Sequence, residues 1–139
     1  MPAIVNSVLE GSIAEELEIT KRNEVIGYQI KIYKNEDYFL GAILTGSYAT
    51  GNNTPNSDID VFIVTKDSTT WRERGNKLID GYLIEYFINP VRQVLKEFDE
   101  GFKDNGIATT LIFAGSKILY DRDGTIEKLV NRAKEDLNK

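Results

Sequence analysis

Leu44-Thr45-Gly46-Ser47-Tyr48-Ala49-Thr50-Gly51-Asn52-Asn53-Thr54-Pro55-Asn56-Ser57-Asp58-Ile59-Asp60-Val61-Phe62-Ile63-Val64 is the stretch from which the rest of the chain can be read. It begins as the end of a strand, turns at small residues, crosses a polar loop, and ends with two carboxylates heading a second strand. Side chains alternate along a strand, so Asp58 and Asp60 share one face while Ile59, Val61 and Ile63 take the other. Two neighbouring carboxylates repel unless a cation lies between them.

Mg²⁺ suits that position. It is a hard ion with oxygen ligands that keeps several waters and is commonly completed by substrate phosphates. Gly46-Ser47 would meet those phosphates, because a missing side chain lets backbone N–H groups approach an anion and the hydroxyl adds a donor. Metal and donors together point to a nucleoside triphosphate. Ser57, before the acid pair, orders the loop or adds a nucleotide contact. Gly46 and Gly51 have the spacing of a P-loop, but Asn52-Asn53 stands where Lys-Ser/Thr is required.

An apolar strand ending in Gly-Ser, followed by Asp-x-Asp at the head of the next strand, resembles the DNA polymerase β-type nucleotidyltransferase superfamily. Ten residues separate Ser47 from Asp58 here. The resemblance covers about Gly41 to Phe87 strongly, and Glu85 in Leu83-Ile84-Glu85-Tyr86-Phe87 matches the superfamily's third acidic position. It implies an α/β (α+β) polymerase β-like fold, a small mixed sheet flanked by helices. The expected organisation is a single nucleotidyltransferase domain over 1–139, with a core motif at 41–88 and a helical part at 90–138.

The implied activity is Mg²⁺-dependent transfer of a nucleoside monophosphate from a triphosphate, ATP by default, to an acceptor hydroxyl. Asp58 and Asp60 would hold two metal ions, and Glu85 would share a metal or act as general base. The acceptor is a small molecule or a protein. The alternative is a minimal nucleotidyltransferase antitoxin that binds, and can nucleotidylylate, a helical toxin partner; a homodimer is also compatible. Many relatives carry a basic residue where this chain has Thr50, and Lys66, Arg72, Arg74 and Lys77 are nearby substitutes.

Composition narrows the chemistry further. The 139 residues contain neither Cys nor His, which excludes disulfides, thiolate nucleophiles, imidazole bases and the usual zinc ligands. A net charge of −5 argues against broad nucleic-acid binding, which depends on Lys and Arg displacing counterions. The apolar runs are too short to span a membrane and the first residues lack a secretion signal, so the expected location is cytoplasmic.

Outside the central stretch, periodicity predicts helices over Val8–Glu18 and Asn23–Lys34, the latter also compatible with a strand. Strands are expected at Phe39–Thr45, Asp58–Val64, Tyr82–Ile88 and Lys117–Tyr120. Trp71–Leu78 reads as a short helix ended by Asp80-Gly81. Asn89-Pro90 reads as an N-cap and first position of a helix with Val91, Val94, Leu95, Phe98 and Phe102 on one stripe. Ala108–Ala114 and a segment carrying Ile126, Leu129, Val130, Ala133 and Leu137 complete the helices. Asp121-Arg122-Asp123-Gly124 hints at a calcium loop but lacks its ligand pattern and reads as a capping turn.

Overall fold

The computed structural model describes residues 12–54, 57–101, 103 and 106–138, with side chains from residue 21 onward. Its elements run α1 (Ser12–Lys34), β1 (Phe39–Thr45), α2 (Ser47–Thr50), β2 (Ile59–Thr65), β3 (Glu73–Ile79), β4 (Tyr82–Pro90), α3 (Val91–Glu100), α4 (Gly106–Ala114), β5 (Lys117–Asp121) and α5 (Thr125–Leu137). The strands form one five-stranded sheet in the order β3-β4-β2-β1-β5. β2 and β4 are parallel and the other neighbours antiparallel.

Alternation along β2 shows why helices cover both faces. Ile59, Val61 and Ile63 join Ala42, Leu44, Ile84 and Ile88 beneath Val25, Ile26, Ile30 and Tyr33 of α1. Phe62 and Val64 point the other way, with Ile43, into a layer built from Val94 and Phe98 of α3, Phe113 of α4, and Ile126, Leu129 and Val130 of α5. A strand buried on both faces must be almost wholly apolar. In β2 every position is buried except Asp60, which is partly exposed.

Three expectations need correction. Trp71–Leu78 is not a helix: β3 pairs antiparallel with β4, and Ile79 opposite Tyr82 leaves Asp80-Gly81 as a two-residue hairpin turn. Both turn residues have positive φ, 50° and 86°, the conformation that makes Asp-Gly a hairpin signal instead of a helix stop. Pairing with β4 overrides the local preference of this polar segment, and its charged side chains suit a sheet edge.

The separate helices expected over Val8–Glu18 and Asn23–Lys34 are not separate where described. Residues 8–11 lie outside the described residues, and α1 is continuous over 23 residues because neither proline nor glycine occurs in 18–23. Asn89 and Pro90 end β4 instead of opening α3, with Pro90 in the N-cap position and no cap from its own side chain. Asp67, from the β2–β3 connection, replaces that cap by accepting the Arg92 N–H at 2.7 Å. Among the described residues no helix is long and apolar enough to cross a membrane.

Candidate active site

Strand register assembles the site. Thr45 of β1 pairs with Asp60 of β2, Asp60 with Glu85 of β4, and Glu85 with Asn76 of β3. Residues paired across neighbouring strands share a face, so Thr45, Asp60, Glu85 and Asn76 form a row across four strands. Asp58 precedes β2 by one residue, half-buried, and lies close enough for its charge to act on Asp60.

The turn after β1 closes over this row. Gly46 has φ 73° and ψ −157°, a region open in practice only to glycine. A Cβ on Gly46 would lie 2.1 Å from the Asp60 Oδ2 atom, so the backbone is drawn against the carboxylate as closely as its atoms allow. The Gly46 carbonyl accepts the Ala49 N–H at 3.1 Å, which starts α2, and Gly51 in the left-handed region ends that helix. Ser47 is the first residue of this turn and is partly exposed. Ser57 is engaged within the loop: its Oγ accepts the Thr54 N–H at 2.8 Å and lies 3.2 Å from the Thr54 hydroxyl.

Burial, the carboxylate of Glu85 beside it, their shared hydrogen bond and the Asp58 charge push the Asp60 carboxyl up from 3.8 to about 6. Asp60 Oδ1 is buried with no hydrogen-bond partner. A buried carboxylate oxygen left unpaired costs free energy that a bound cation would recover. Among the described residues no group of three or more His, Cys, Asp or Glu side chains is gathered closely enough to hold a metal ion. A metal ion here would rest on fewer than three protein carboxylates and would take its remaining oxygens from water or substrate phosphates.

One step along the same face lies a second row, Ile43, Phe62, Phe87 and Arg74. Phe62 and Phe87 stack with centroids 6.0 Å apart, and the Arg74 guanidinium sits 5.0 Å over Phe87. Behind them opens a cavity of about 470 Å³ bounded by Arg72, Glu97 and Thr109. Glu97 is held there by the Thr109 hydroxyl at 2.7 Å and the Gln93 amide at 2.9 Å. Of the four cations weighed as substitutes for a basic residue at Thr50, Lys66 pairs with Asp37 at 3.3 Å and Lys77 lies over Tyr86 on the opposite face. Arg72 and Arg74 both line the cavity on the acid face; Arg72 donates to the Asn89 side chain, and Arg74 stands opposite Phe87, in the register position next to the row.

A helical reading of this segment conceals Asn76 and the place of Arg74 opposite Phe87. Counting back from Asp80-Gly81 as a hairpin turn would have put Asn76 opposite Glu85 and Arg74 opposite Phe87.

Comparison with known families matches residues 28–110 to the Nucleotidyltransferase domain, a span holding β1 to β4 and the whole row. A curated protein of Methanocaldococcus jannaschii named "Putative protein adenylyltransferase" is 29% identical over 102 residues, covering 70% of this chain and 69% of that one. Among solved structures, a nucleotidyltransferase-like protein from Exiguobacterium sibiricum 255-15 superposes with a TM-score of 0.58 at 9% identity. That match covers 76% of this chain and 36% of the other, and at this identity it speaks for the fold alone. With more than half of its length matched, this chain belongs to the Nucleotidyltransferase domain family, enzymes of nucleotidyl transfer within the polymerase β-like superfamily.

Proposed function

We propose that the chain transfers the adenylyl group of ATP to a hydroxyl of a protein acceptor, with Mg²⁺ held by Asp58 and Asp60. The observation that carries this reading is the meeting of Asp60, Glu85 and Gly46 at one end of one sheet face, with an unpartnered Asp60 oxygen and a carboxyl raised to about 6. The name of the Methanocaldococcus jannaschii relative supports adenylyl as the group and protein as the acceptor. One or two Mg²⁺ ions would neutralise the triphosphate and make the α-phosphorus more electrophilic.

The residues of the chain supply positioning and charge. Gly46 and Ser47 bring backbone N–H groups and a hydroxyl to the phosphates, while Ser57 keeps the loop in shape for that contact. Arg74, stacked on Phe87, adds a cation on the same face. The acceptor oxygen bonds to the α-phosphorus as the bond to the bridging oxygen of the β-phosphate breaks, and pyrophosphate leaves with that electron pair. Glu85 is the base that takes the acceptor's proton.

The test is incubation with Mg²⁺ and α-labelled ATP in the presence of cell extract. Label should move to protein with release of pyrophosphate, and Asp60→Asn and Glu85→Gln should each lower the rate by at least about a hundredfold. Unchanged turnover in Asp60→Asn would remove the metal assignment. Label appearing on a small molecule instead of protein would change the acceptor class.

A further inference from the structure

On the face of the sheet opposite the acid row, a groove of about 950 Å³ runs between α1 and β5. It extends along α1 from Arg22 to Lys34, about 18 Å at 1.5 Å per residue, which is longer than a compact metabolite needs. The charged side chains lining it are Arg22, Lys31, Lys34 and Lys117, all basic, in a chain whose net charge is −5. None of the four has a carboxylate partner among the described residues. Arg22 and Lys34 lie over the Tyr48 and Tyr120 rings instead, and the Arg22 Nε is buried with no hydrogen-bond partner.

The floor is aliphatic, with Ile26, Ile30, Leu44 and Leu119. A second feature is Gly27, which lines the groove from the middle of α1. Glycine inside a helix costs about 1 kcal/mol relative to alanine. Within this chain nothing requires it, because a Cβ there would meet no atom within 4 Å. It forms a notch on the stripe Asn23, Gly27, Lys31 and Lys34, where small residues let another backbone approach closely.

We propose that this groove receives an acidic amphipathic helix from a partner protein. Its apolar stripe would lie on the aliphatic floor, its carboxylates would meet the four cations, and its backbone would approach at Gly27. The aliphatic floor favours a protein segment over a nucleic-acid strand, which binds on free aromatic faces; here cations already cover Tyr48 and Tyr120. Tyr48 belongs to α2, next to Gly46-Ser47, so a partner seated here touches the rear of the turn that closes on Asp60.

The probe is a labelled helical peptide of roughly 14 residues, with leucine on one face and glutamate on the other, followed by fluorescence anisotropy. The full chain should bind it with micromolar affinity that falls with added salt. The double change Lys31→Glu with Lys34→Glu should weaken binding at least about tenfold. Gly27→Leu should do the same while leaving the melting temperature unchanged or higher, since the added side chain fills open space. Asp60→Asn should bind the peptide like the parent, which separates this result from the catalytic assignment. Absence of binding, equal binding of a scrambled peptide of the same composition, indifference to both groove changes, or tighter groove-dependent binding of a single-stranded oligonucleotide would each overturn the proposal.

Discussion

Gly46 and Asp60 are coupled through space in a way neither residue could be alone. The φ of 73° at Gly46 and the 2.1 Å approach of a would-be Cβ to Asp60 Oδ2 leave no room for alanine. Gly46→Ala should therefore cost roughly 1–3 kcal/mol of stability and, by moving the turn off the carboxylate, about a hundredfold in turnover; urea unfolding and the labelling assay read the two effects. Asp60 has its own signature in metal-free buffer. Its folded pKa, raised from 3.8 to about 6, means that the folded state holds this proton more tightly than the unfolded chain does. The stability tied to that proton is complete below about pH 4 and is lost as pH rises through about 6. Asp60→Asn should thus be more stable than the parent at pH 8, on the order of 2 kcal/mol after allowing for partial exposure, with the difference vanishing near pH 3.5. Melting curves across that range, with and without Mg²⁺, test both the sign and the metal site.

At the scale of elements, several ends are closed by residues distant from them. Asp121 at the end of β5 accepts the N–H groups of Gly124 at 3.0 Å, Ile126 at 3.2 Å and Glu127 at 3.0 Å, so one carboxylate caps α5. Asp123 accepts the Thr125 N–H at 3.0 Å and reaches no further along α5, and hydrogen bonds from the Thr125 hydroxyl and then its N–H lower the Asp123 pKa. Asp121→Ala should cost about 1–2 kcal/mol and Asp123→Ala clearly less, an ordering that chemical denaturation can measure. These hydrogen bonds form the capping turn expected at 121–124. The β3–β4 hairpin teaches a different lesson. Its polar sequence carried no strand periodicity strong enough to outweigh a helical reading, yet two residues of turn chemistry, Asp80-Gly81, decide its register.

At the scale of the whole molecule, aromatic rings tie the helical layer to the sheet face that carries the acids. Phe113 of α4 is fully buried, 5.0 Å from Phe62 of β2 and 5.4 Å from Phe98 of α3 in edge-to-face contacts. Phe113→Ala should cost about 3–5 kcal/mol, a large share of the total stability of a domain this size, and the urea midpoint should fall accordingly. The opposite face, under α1, carries the basic groove. The two faces share β1 and the turn that follows it, so the acid row and the groove meet at residues 44–48.

Much of this was legible from local chemistry. The glycine–serine corner, the alternating acids, the strands at 39–45 and 82–88 and the helices after 90 rest on periodicity and turn residues, which act over a few neighbours. Which strands lie side by side does not. The row Asn76, Glu85, Asp60 and Thr45, the cap that Asp67 lends to α3, and the groove framed by α1 and β5 join residues tens of positions apart. Their meeting depends on sheet order and register, and those are decided by how the two apolar faces of β2 are covered, a property of the assembled molecule that no short window of sequence contains.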